Sequence, residues 1–206
     1  MKKVVALLVL GVLVGSTVCF AADAELRVRP YYLFPGQDDL WDYAAGIEAQ
    51  YVLWMNRNVG LALAGGLAAW EVDDDVIVEE NLAAEIDGSA LAVPLGGSVL
   101  VRPLPEGAPV DLTLEGGLRY VVVESDIDLA ATDYYYIYED EVDLENGVVG
   151  LLGAELGFPV SDRAKLAVGM GYQFDIVKGD AEWFGVEIEE SEMKGFYVNF
   201  GVNVKL

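Results

Sequence analysis

The chain has 206 residues, of which 35 are acidic and 12 basic, so its formal net charge at pH 7 is −23. The phosphate backbone of a nucleic acid repels such a protein, which argues against a nucleic-acid partner. The sequence has no histidine, which excludes Ser/His/Asp catalysis and histidine-ligated metal sites. Paired carboxylates such as Glu189 and Glu190 have no sequence context that frames a substrate cleft. We therefore predict that the protein is not an enzyme and holds no cofactor.

The N-terminal residues have the pattern of a secretory signal peptide. Lys2 and Lys3 form a charged start, residues 4–14 form an apolar stretch, and Ala22-Asp23-Ala24 is a small-x-small cleavage motif. The apolar stretch is shorter than the roughly 20 residues that a membrane-spanning helix needs. Because no later segment offers a long uncharged apolar run, any insertion into a membrane must use strands.

We predict that residues 1–24 are a signal peptide, which directs export through the Sec pathway and is then cleaved, with cleavage after Ala21 as the alternative. The single cysteine, Cys19, leaves with this segment in either case. Residues 25–206 then have about the right length for one all-β domain.

Eight segments of the remaining chain alternate between apolar side chains and polar or small ones, which is the period of a strand with two different faces. They are residues 26–34, 46–55, 59–70, 89–102, 110–123, 148–158, 166–176 and 196–206. The connections are long after the first, third, fifth and seventh segments and short after the second, fourth and sixth. This alternation is typical of an outer-membrane barrel with short periplasmic turns and longer outer loops.

We therefore predict an all-β fold, an eight-stranded antiparallel up-and-down transmembrane β-barrel with both termini on the periplasmic side. Outward aromatic residues favour this interpretation, because they match the interfacial girdles of membrane barrels: Phe34, Tyr120, Phe174 and Phe196 near the outer rim and Phe158 near the inner one. The alternative is a soluble barrel or sandwich, in which the apolar face would form the interior and the charged face would meet water.

The last segment places apolar side chains at every even position up to its end: Phe196, Val198, Phe200, Val202, Val204 and Leu206. With this strand and the loop pattern, the chain resembles the small eight-stranded outer-membrane barrels, the class of OmpX, OmpW and the membrane domain of OmpA. The resemblance implies that the last strand is the assembly signal for the barrel-assembly machinery of a Gram-negative-type cell, and that outer-membrane lipid surrounds the barrel. The chain departs from the class at Leu206, where an aromatic residue is usual.

Several charged side chains fall on the inward face of the predicted barrel: Arg27, Arg29, Glu48, Glu115, Arg119, Glu155 and Lys165. Eight strands enclose a bore that side chains nearly fill, and an unpaired charge there is costly. We predict that Arg29 reaches Glu115 and Glu155, and that Glu48 pairs with Arg119 nearer the outer end. This lumen charge network is either a structural plug or a gate in a narrow channel.

The predicted outer loops are rich in acidic and tyrosine residues and form a possible binding surface: Asp73, Asp74, Asp75, Tyr134, Tyr135, Tyr136 and Tyr138. Carboxylates at this density can bind a divalent cation, and tyrosines can contact an extracellular protein or glycan. The loops lack the ordered spacing of an EF-hand, so a solvated, self-repelling surface is the alternative. Their β-rich interiors suggest that strands continue above the membrane as a protruding sheet.

The sequence thus predicts a non-enzymatic integral outer-membrane protein with a structural or surface-interaction role, of the OmpX-like kind. The alternative is a narrow porin-like channel for small solutes, in the manner of OmpW-like proteins. An unobstructed apolar lumen or a lateral opening would favour the channel. Small inward residues on the third and fourth segments leave room for one: Gly60, Ala62, Ala64, Gly66, Ala90, Ala92 and Gly96.

Overall fold

The computed structural model of the chain describes residues 23–35, 41–72, 77–79, 82–105, 108–132, 137–141, 143–183, 186–191 and 193–206. The strands in these ranges are β1 (Asp23–Pro35), β2 (Trp41–Trp54), β3 (Val59–Val72), β4 (Ile77–Glu79), β5 (Leu82–Val101), β6 (Asp111–Thr132), β7 (Ile137–Glu141), β8 (Asp143–Leu144), β9 (Gly147–Pro159), β10 (Ala164–Val177), β11 (Gly179–Trp183), β12 (Val186–Ser191) and β13 (Gly195–Lys205). Within the described residues, no helix is long and apolar enough to cross a membrane.

The eight long strands form a closed antiparallel barrel. Going around the wall, their order is β5, β3, β2, β1, β13, β10, β9 and β6, and β6 pairs with β5 to complete the circle. The first and last strands meet in register, with Val28 opposite Val202 and Phe34 opposite Phe196. The turns after β2, β5 and β9 lie at one end, which we call the short-turn end, and the longer connections lie at the other, the long-loop end. The predicted fold class is confirmed.

Three of the barrel strands extend further toward the long-loop end than the sequence indicated. β2 starts at Trp41, β5 at Leu82, and β6 continues to Thr132, where the ladder between β5 and β6 still pairs Ala83 with Thr132. Acidic residues in these extensions made them look like loops, although their sequence alternates between apolar or small residues and polar ones. β4 and β7 add to the extended wall, and β12, β11 and β8 form a separate small sheet, so the expectation that strands continue beyond the predicted membrane segments is confirmed.

The outward face of the barrel is apolar. Leu63 is 61% exposed, Val168 56% and Phe200 66%, values typical of a surface that contacts hydrocarbon rather than of a protein core. The predicted girdle residues are also exposed: Phe34, Tyr120, Phe174, Phe196 and Phe158. In the alternative of a soluble barrel or sandwich, the apolar face would form the interior. That placement is wrong, because the observed barrel turns its charged face inward and its apolar face outward.

The lumen toward the long-loop end contains a layer of apolar side chains that sequence reasoning did not anticipate. Leu33, Trp70 and Val149 are buried there, and Met193 covers them from the segment between β12 and β13. The Asp175 carboxylate accepts a hydrogen bond from Met193 N at 3.0 Å, and Gln173 Nε2 donates to Met193 O at 2.6 Å. These two contacts hold Met193 against the buried cluster, which we call the apolar cap.

A second, smaller apolar cluster lies near the short-turn end and consists of Val52, Trp54, Ala62 and Leu100. The indole ring of Trp54 stands over Gly60 of the neighbouring strand, where a Cβ atom would lie 2.9 Å from the ring. The small inward residues therefore leave less room than expected. Ala62 packs into this cluster, and Ala90 and Ala92 pack under the apolar cap, so that large neighbours occupy the space above them.

Candidate functional site

Arg29 occupies the centre of the lumen and contacts three carboxylates. Its Nη2 lies 2.7 Å from Glu48 Oε1, and its Nη1 lies 2.9 Å from Glu115 Oε2 and 3.4 Å from Glu155 Oε2. β1 and β2 place Arg29 directly opposite Glu48 in their ladder, whereas Glu115 on β6 and Glu155 on β9 reach Arg29 across the bore. The predicted contacts of Arg29 with Glu115 and Glu155 are present, and the contact with Glu48 is additional.

Arg119 joins Glu48 and Glu115 from the side of β6. Its Nε lies 2.8 Å from Glu48 Oε2 and its Nη2 lies 3.4 Å from Glu115 Oε1, while Nη1 donates to Ser98 Oγ at 3.0 Å. Glu115 also accepts from Gln50 Nε2 at 2.6 Å and from Ser98 Oγ at 2.7 Å. The predicted pair of Glu48 with Arg119 is therefore present, but it belongs to the same cluster as Arg29 rather than to a separate outer group.

The cluster continues toward the short-turn end through Arg27. Arg27 Nη1 lies 3.2 Å from Glu155 Oε1, and Arg27 Nε lies 2.7 Å from Glu25 Oε1. Arg102 Nη2 then lies 2.6 Å from Glu25 Oε2. Sequence reasoning missed Glu25 and Arg102 as members. Parity was the available signal for both, because Glu25 shares the inward parity of Arg27 and Arg29, and Arg102 shares that of Ser98 and Leu100 on β5.

Lys165 does not join this cluster, and its predicted place there is wrong. It forms an ion pair with Asp111 at the short-turn end of the barrel. Lys165 is the second residue of β10 and Asp111 the first of β6. Because both residues lie at the starts of their strands, Lys165 meets the carboxylate at the barrel end before it can reach the middle of the lumen.

We call the central network the set of four arginines and four glutamates that these contacts join: Glu25, Arg27, Arg29, Glu48, Arg102, Glu115, Arg119 and Glu155. Arg27 and Arg119 are 0% and 2% exposed, and such burial is tolerated only when each charge is paired and hydrogen-bonded. Equal numbers of opposite charges make the network neutral. The contacts of Arg27 and Arg29 with Glu155, and of Arg29 with Glu115, join side chains from opposite sides of the wall, so the network spans the bore at this level.

Two tyrosines cover the central network on the side of the apolar cap. The ring of Tyr31 lies over Gly46 of β2, where a Cβ atom would be 2.7 Å from its Cζ, and the ring of Tyr197 lies over Gly171 of β10 and Gly153 of β9. Glycines on the neighbouring strands are what allow these rings to lie flat against the wall. Between the central network and the cap remains a cavity of about 50 Å³ beside the two tyrosines, lined by Arg29, Glu48 and Arg119 of the network and by Leu33, Pro94 and Leu151.

A larger cavity of about 650 Å³ opens at the short-turn end, where Glu25 and Arg102 of the central network line it. We call it the vestibule. Trp54 and Arg102 lie at its inner side, and charged residues from strand ends and turns surround it, among them Arg57, Arg163 and Lys205. From the long-loop end to the short-turn end, the lumen thus contains an apolar cap, the neutral central network with the small apolar cluster beside its lower part, and an open polar vestibule.

Comparison with known proteins gives matches in structure alone. The outer membrane protein OprG from Pseudomonas aeruginosa superposes with a TM-score of 0.61 at 8% sequence identity, covering 90% of this chain and 96% of OprG. A major outer membrane protein from Thermus thermophilus superposes with a TM-score of 0.56 at 15% identity, covering 91% of this chain and all of that one. The fold is that of the small outer-membrane barrels. No protein-family model and no curated protein sequence matches the chain.

The last strand of this outer-membrane-type barrel has the two faces that the sequence predicted. The outward side chains of Phe196, Val198, Phe200, Val202 and Val204 are exposed. Leu206 follows the strand and its N donates to Ala24 O at 2.9 Å, which extends the seam between β13 and β1 by one hydrogen bond. The role of this strand as an assembly signal stays a prediction.

The predicted loop surface of the barrel falls largely outside the described residues. Asp73, Asp74, Asp75, Tyr134, Tyr135 and Tyr136 are not among them, and Tyr138 is described as part of the backbone of β7. Within the described part of the chain, no group of three or more acidic or cysteine side chains is placed to hold a metal ion. The proposed cation and ligand contacts of this surface therefore stay predictions.

Proposed function

We propose that the protein is an integral outer-membrane barrel with a closed lumen, that it is not an enzyme, and that its role is structural or surface interaction. The observation that carries this proposal is the central network, whose paired arginines and glutamates reach across the bore from β1, β2, β6 and β9. The apolar cap blocks the bore a second time through Met193. A charged layer and an apolar layer, one after the other, would let the barrel carry its loops without conducting ions.

The location in the outer membrane rests on three features. The barrel turns an apolar surface outward, the chain starts with the pattern of a signal peptide for the Sec pathway, and its last strand has the amphipathic pattern that the barrel-assembly machinery recognises. The short-turn end then lies in the periplasm and the long-loop end faces outward.

The proposed surface role rests on the length of two neighbouring strands. β5 has 20 residues and β6 has 22, whereas a tilted strand needs roughly 9–11 to cross the hydrocarbon core. About half of each strand therefore stands above the membrane, and their ladder is continuous to Ala83 and Thr132. This stiff wall would carry the acidic and tyrosine-rich loops toward an extracellular ligand or divalent cation.

Single-channel recording tests whether the lumen is closed. We expect the detergent-folded protein to insert into a planar bilayer without discrete conductance steps, because ions would have to displace the paired side chains that join opposite sides of the bore. Insertion is checked by the shift in gel mobility that folded barrels show on heating. Discrete, reproducible steps from the inserted wild-type protein would contradict the proposal and favour the channel.

A second candidate function is a lateral passage for small apolar molecules from the outer lumen into the membrane. The ladder between β3 and β5 pairs Gly65 with Leu95 and resumes at Ala68 with Ala92, and is interrupted between these pairs. Pro94 lies in the interruption, where it has no N–H to donate. The same proline lines the cavity beneath the apolar cap, so the weakest part of this ladder adjoins the open part of the outer lumen.

Substituting Pro94 tests this passage. Pro94→Ala supplies the missing donor and should seal the ladder, so we expect a several-fold slower uptake of a small apolar fluorescent probe by cells whose outer membrane otherwise excludes it. Pro30→Ala is the matched control, because Pro30 lies at an interruption of the ladder between β1 and β13 and points outward. Equal uptake by wild type, both variants and cells without the protein would remove this candidate.

A further inference from the structure

The vestibule differs in charge from the rest of the molecule. Its basic lining residues are Arg57, Arg102, Arg163, Lys165 and Lys205, and its acidic ones are Asp23, Glu25, Asp111 and Asp162. The whole chain has nearly three acidic residues for each basic one, so the gathering of basic side chains at one cavity is a local concentration. Cleavage after Ala24, as the sequence predicts, would remove Asp23 and add a charged α-amino group here. Among the described residues that line the vestibule, basic side chains outnumber acidic ones by one, so an anion meets less repulsion here than the composition of the whole chain indicates.

The inner side of the vestibule is built around Trp54. The guanidinium carbon of Arg102 lies 3.6 Å from the centroid of the Trp54 ring, and that of Arg27 lies 5.8 Å from it. Both distances are within the range of cation–π interactions. The turn after β5 is fixed to the neighbouring turn, since Arg102 N donates to Asn58 O at 2.8 Å and Asn58 Nδ2 donates to Arg102 O at 2.6 Å. The position of Arg102 is thus set by its backbone as well as by its charge.

Three buried N–H groups around this ring have no hydrogen-bond partner among the described residues: Arg27 Nη2, Arg102 Nε and Trp54 Nε1. Trp54 is 6% exposed and Arg27 0%, and buried donors of this kind are nearly always paired in folded proteins. Both carboxylate oxygens of Glu25 already accept from these arginines, one from Arg27 and the other from Arg102. Arg102 and Trp54 line the vestibule, as does Asn203, whose Oδ1 is an acceptor without a partner in the described part of the chain. The two donors of Arg102 and Trp54 therefore still lack an acceptor at this cavity.

We propose that the vestibule binds a small anion through a carboxylate or phosphate group that accepts hydrogen bonds from Arg102 and Trp54. Guanidinium groups bind both kinds of oxyanion with two parallel hydrogen bonds. The volume of about 650 Å³ is that of a typical small-molecule site. Arg163 lies exposed at the rim and attracts the ligand before it reaches Arg102. Binding at this site can be measured whether or not the lumen conducts, because the vestibule opens at the short-turn end and shares only Glu25 and Arg102 with the central network.

Calorimetric titration of the detergent-folded protein tests the proposal, with citrate as the carboxylate probe and inorganic phosphate as the phosphate probe in separate experiments. Fluorescence of Trp54 gives a second readout, with Trp54→Phe as the variant in which the signal from this site is lost. We expect saturable binding of at least one probe, weakened by added salt because the cations that attract the anion are screened. Binding of citrate alone assigns the site to carboxylates, and binding of phosphate alone assigns it to phosphates.

Two substitutions and a control locate the site. Arg102→Gln should weaken binding about tenfold or more, as expected when one charged hydrogen-bond donor is lost. Arg163→Gln, at an exposed position that does not support the fold, should weaken it less and reduce its dependence on salt. Lys194→Gln removes a positive charge at the opposite end and should leave binding unchanged. Absence of saturable binding of both probes to the wild-type protein, or equal binding by all three variants, would overturn the proposal.

Discussion

Glu115→Ala is expected to lower the free energy of unfolding by about 3–5 kcal/mol, the cost of removing one partner from a buried ion pair. The Glu115 side chain is 5% exposed and contacts both Arg29 and Arg119. It also accepts hydrogen bonds from Gln50 and Ser98. Removing it leaves two buried guanidinium groups with less compensation and two polar side chains without their acceptor. Urea-induced unfolding from lipid vesicles measures the loss.

The control for this prediction is Glu124→Ala on the same strand, where the side chain is exposed and its removal should change the unfolding free energy by less than about 0.5 kcal/mol. Glu115→Gln should lie between the two, since it keeps the shape and an acceptor oxygen but loses the charge. If Glu115→Ala and Glu124→Ala were equally stable, the central network would contribute nothing to stability, and its place in the bore would need another explanation.

Gly96→Ala is expected to destabilise the barrel by about 3 kcal/mol, the upper part of the range for overpacked positions. A Cβ atom at Gly96 would overlap the carbonyl oxygen of Leu118 on β6 and lie 2.9 Å from Arg119 Cα. Both neighbours belong to the backbone of a paired strand and cannot rotate away, so β5 and β6 must move apart. The fraction of folded protein and its midpoint in urea, measured by gel mobility, report the effect.

Gly116→Ala is the matched control, because it makes the same change on the neighbouring strand. A Cβ atom there would meet only Leu152 Cδ2, at 3.5 Å, which is an ordinary van der Waals contact. The variant should fold as the wild-type protein does. Wild-type stability of Gly96→Ala would mean that β5 and β6 are less closely packed at this point than the structure shows.

Closure of the lumen depends on how complete the central network is. Arg29 contacts three carboxylates, those of Glu48, Glu115 and Glu155. If any one of them is removed, Arg29 keeps two partners. A barrel plugged in this way should tolerate single substitutions without opening, and lose stability before it gains conductance. Recording from Glu115→Ala beside the wild-type protein therefore separates a plug from a gate, since a gate would open when this carboxylate is removed.

The order of the eight strands and the side of the wall on which each residue lies were both predictable from the sequence. A period of two is a local property, because consecutive side chains of a strand point to opposite faces whatever the strand pairs with. For this reason Arg29, Glu115 and Arg119 could be placed in the lumen, and Phe200 on the outside, before any partner was known. The alternating loop lengths then fixed the up-and-down order.

Depth along the bore was less predictable, and only the tertiary structure decided which charges meet. The shear of a closed barrel sets how far each strand is shifted against the next, and no local pattern records it. Lys165 was therefore assigned to the network although its position at the start of β10 brings it to Asp111. Glu25 and Arg102 were missed, although they complete the chain of contacts from Arg27 to the vestibule.

The apolar cap shows the same limit for a segment outside the barrel strands. The sequence around Met193 has no period that marks it as buried, and its position follows from hydrogen bonds to Gln173 and Asp175 of β10. The sequence by itself determined the barrel, its inner and outer faces and its excess of acidic residues, since these depend on composition and on alternation along single strands. The tertiary structure decided the closed central network, the cap and the vestibule, because each joins residues far apart in the chain through the stagger of the closed wall.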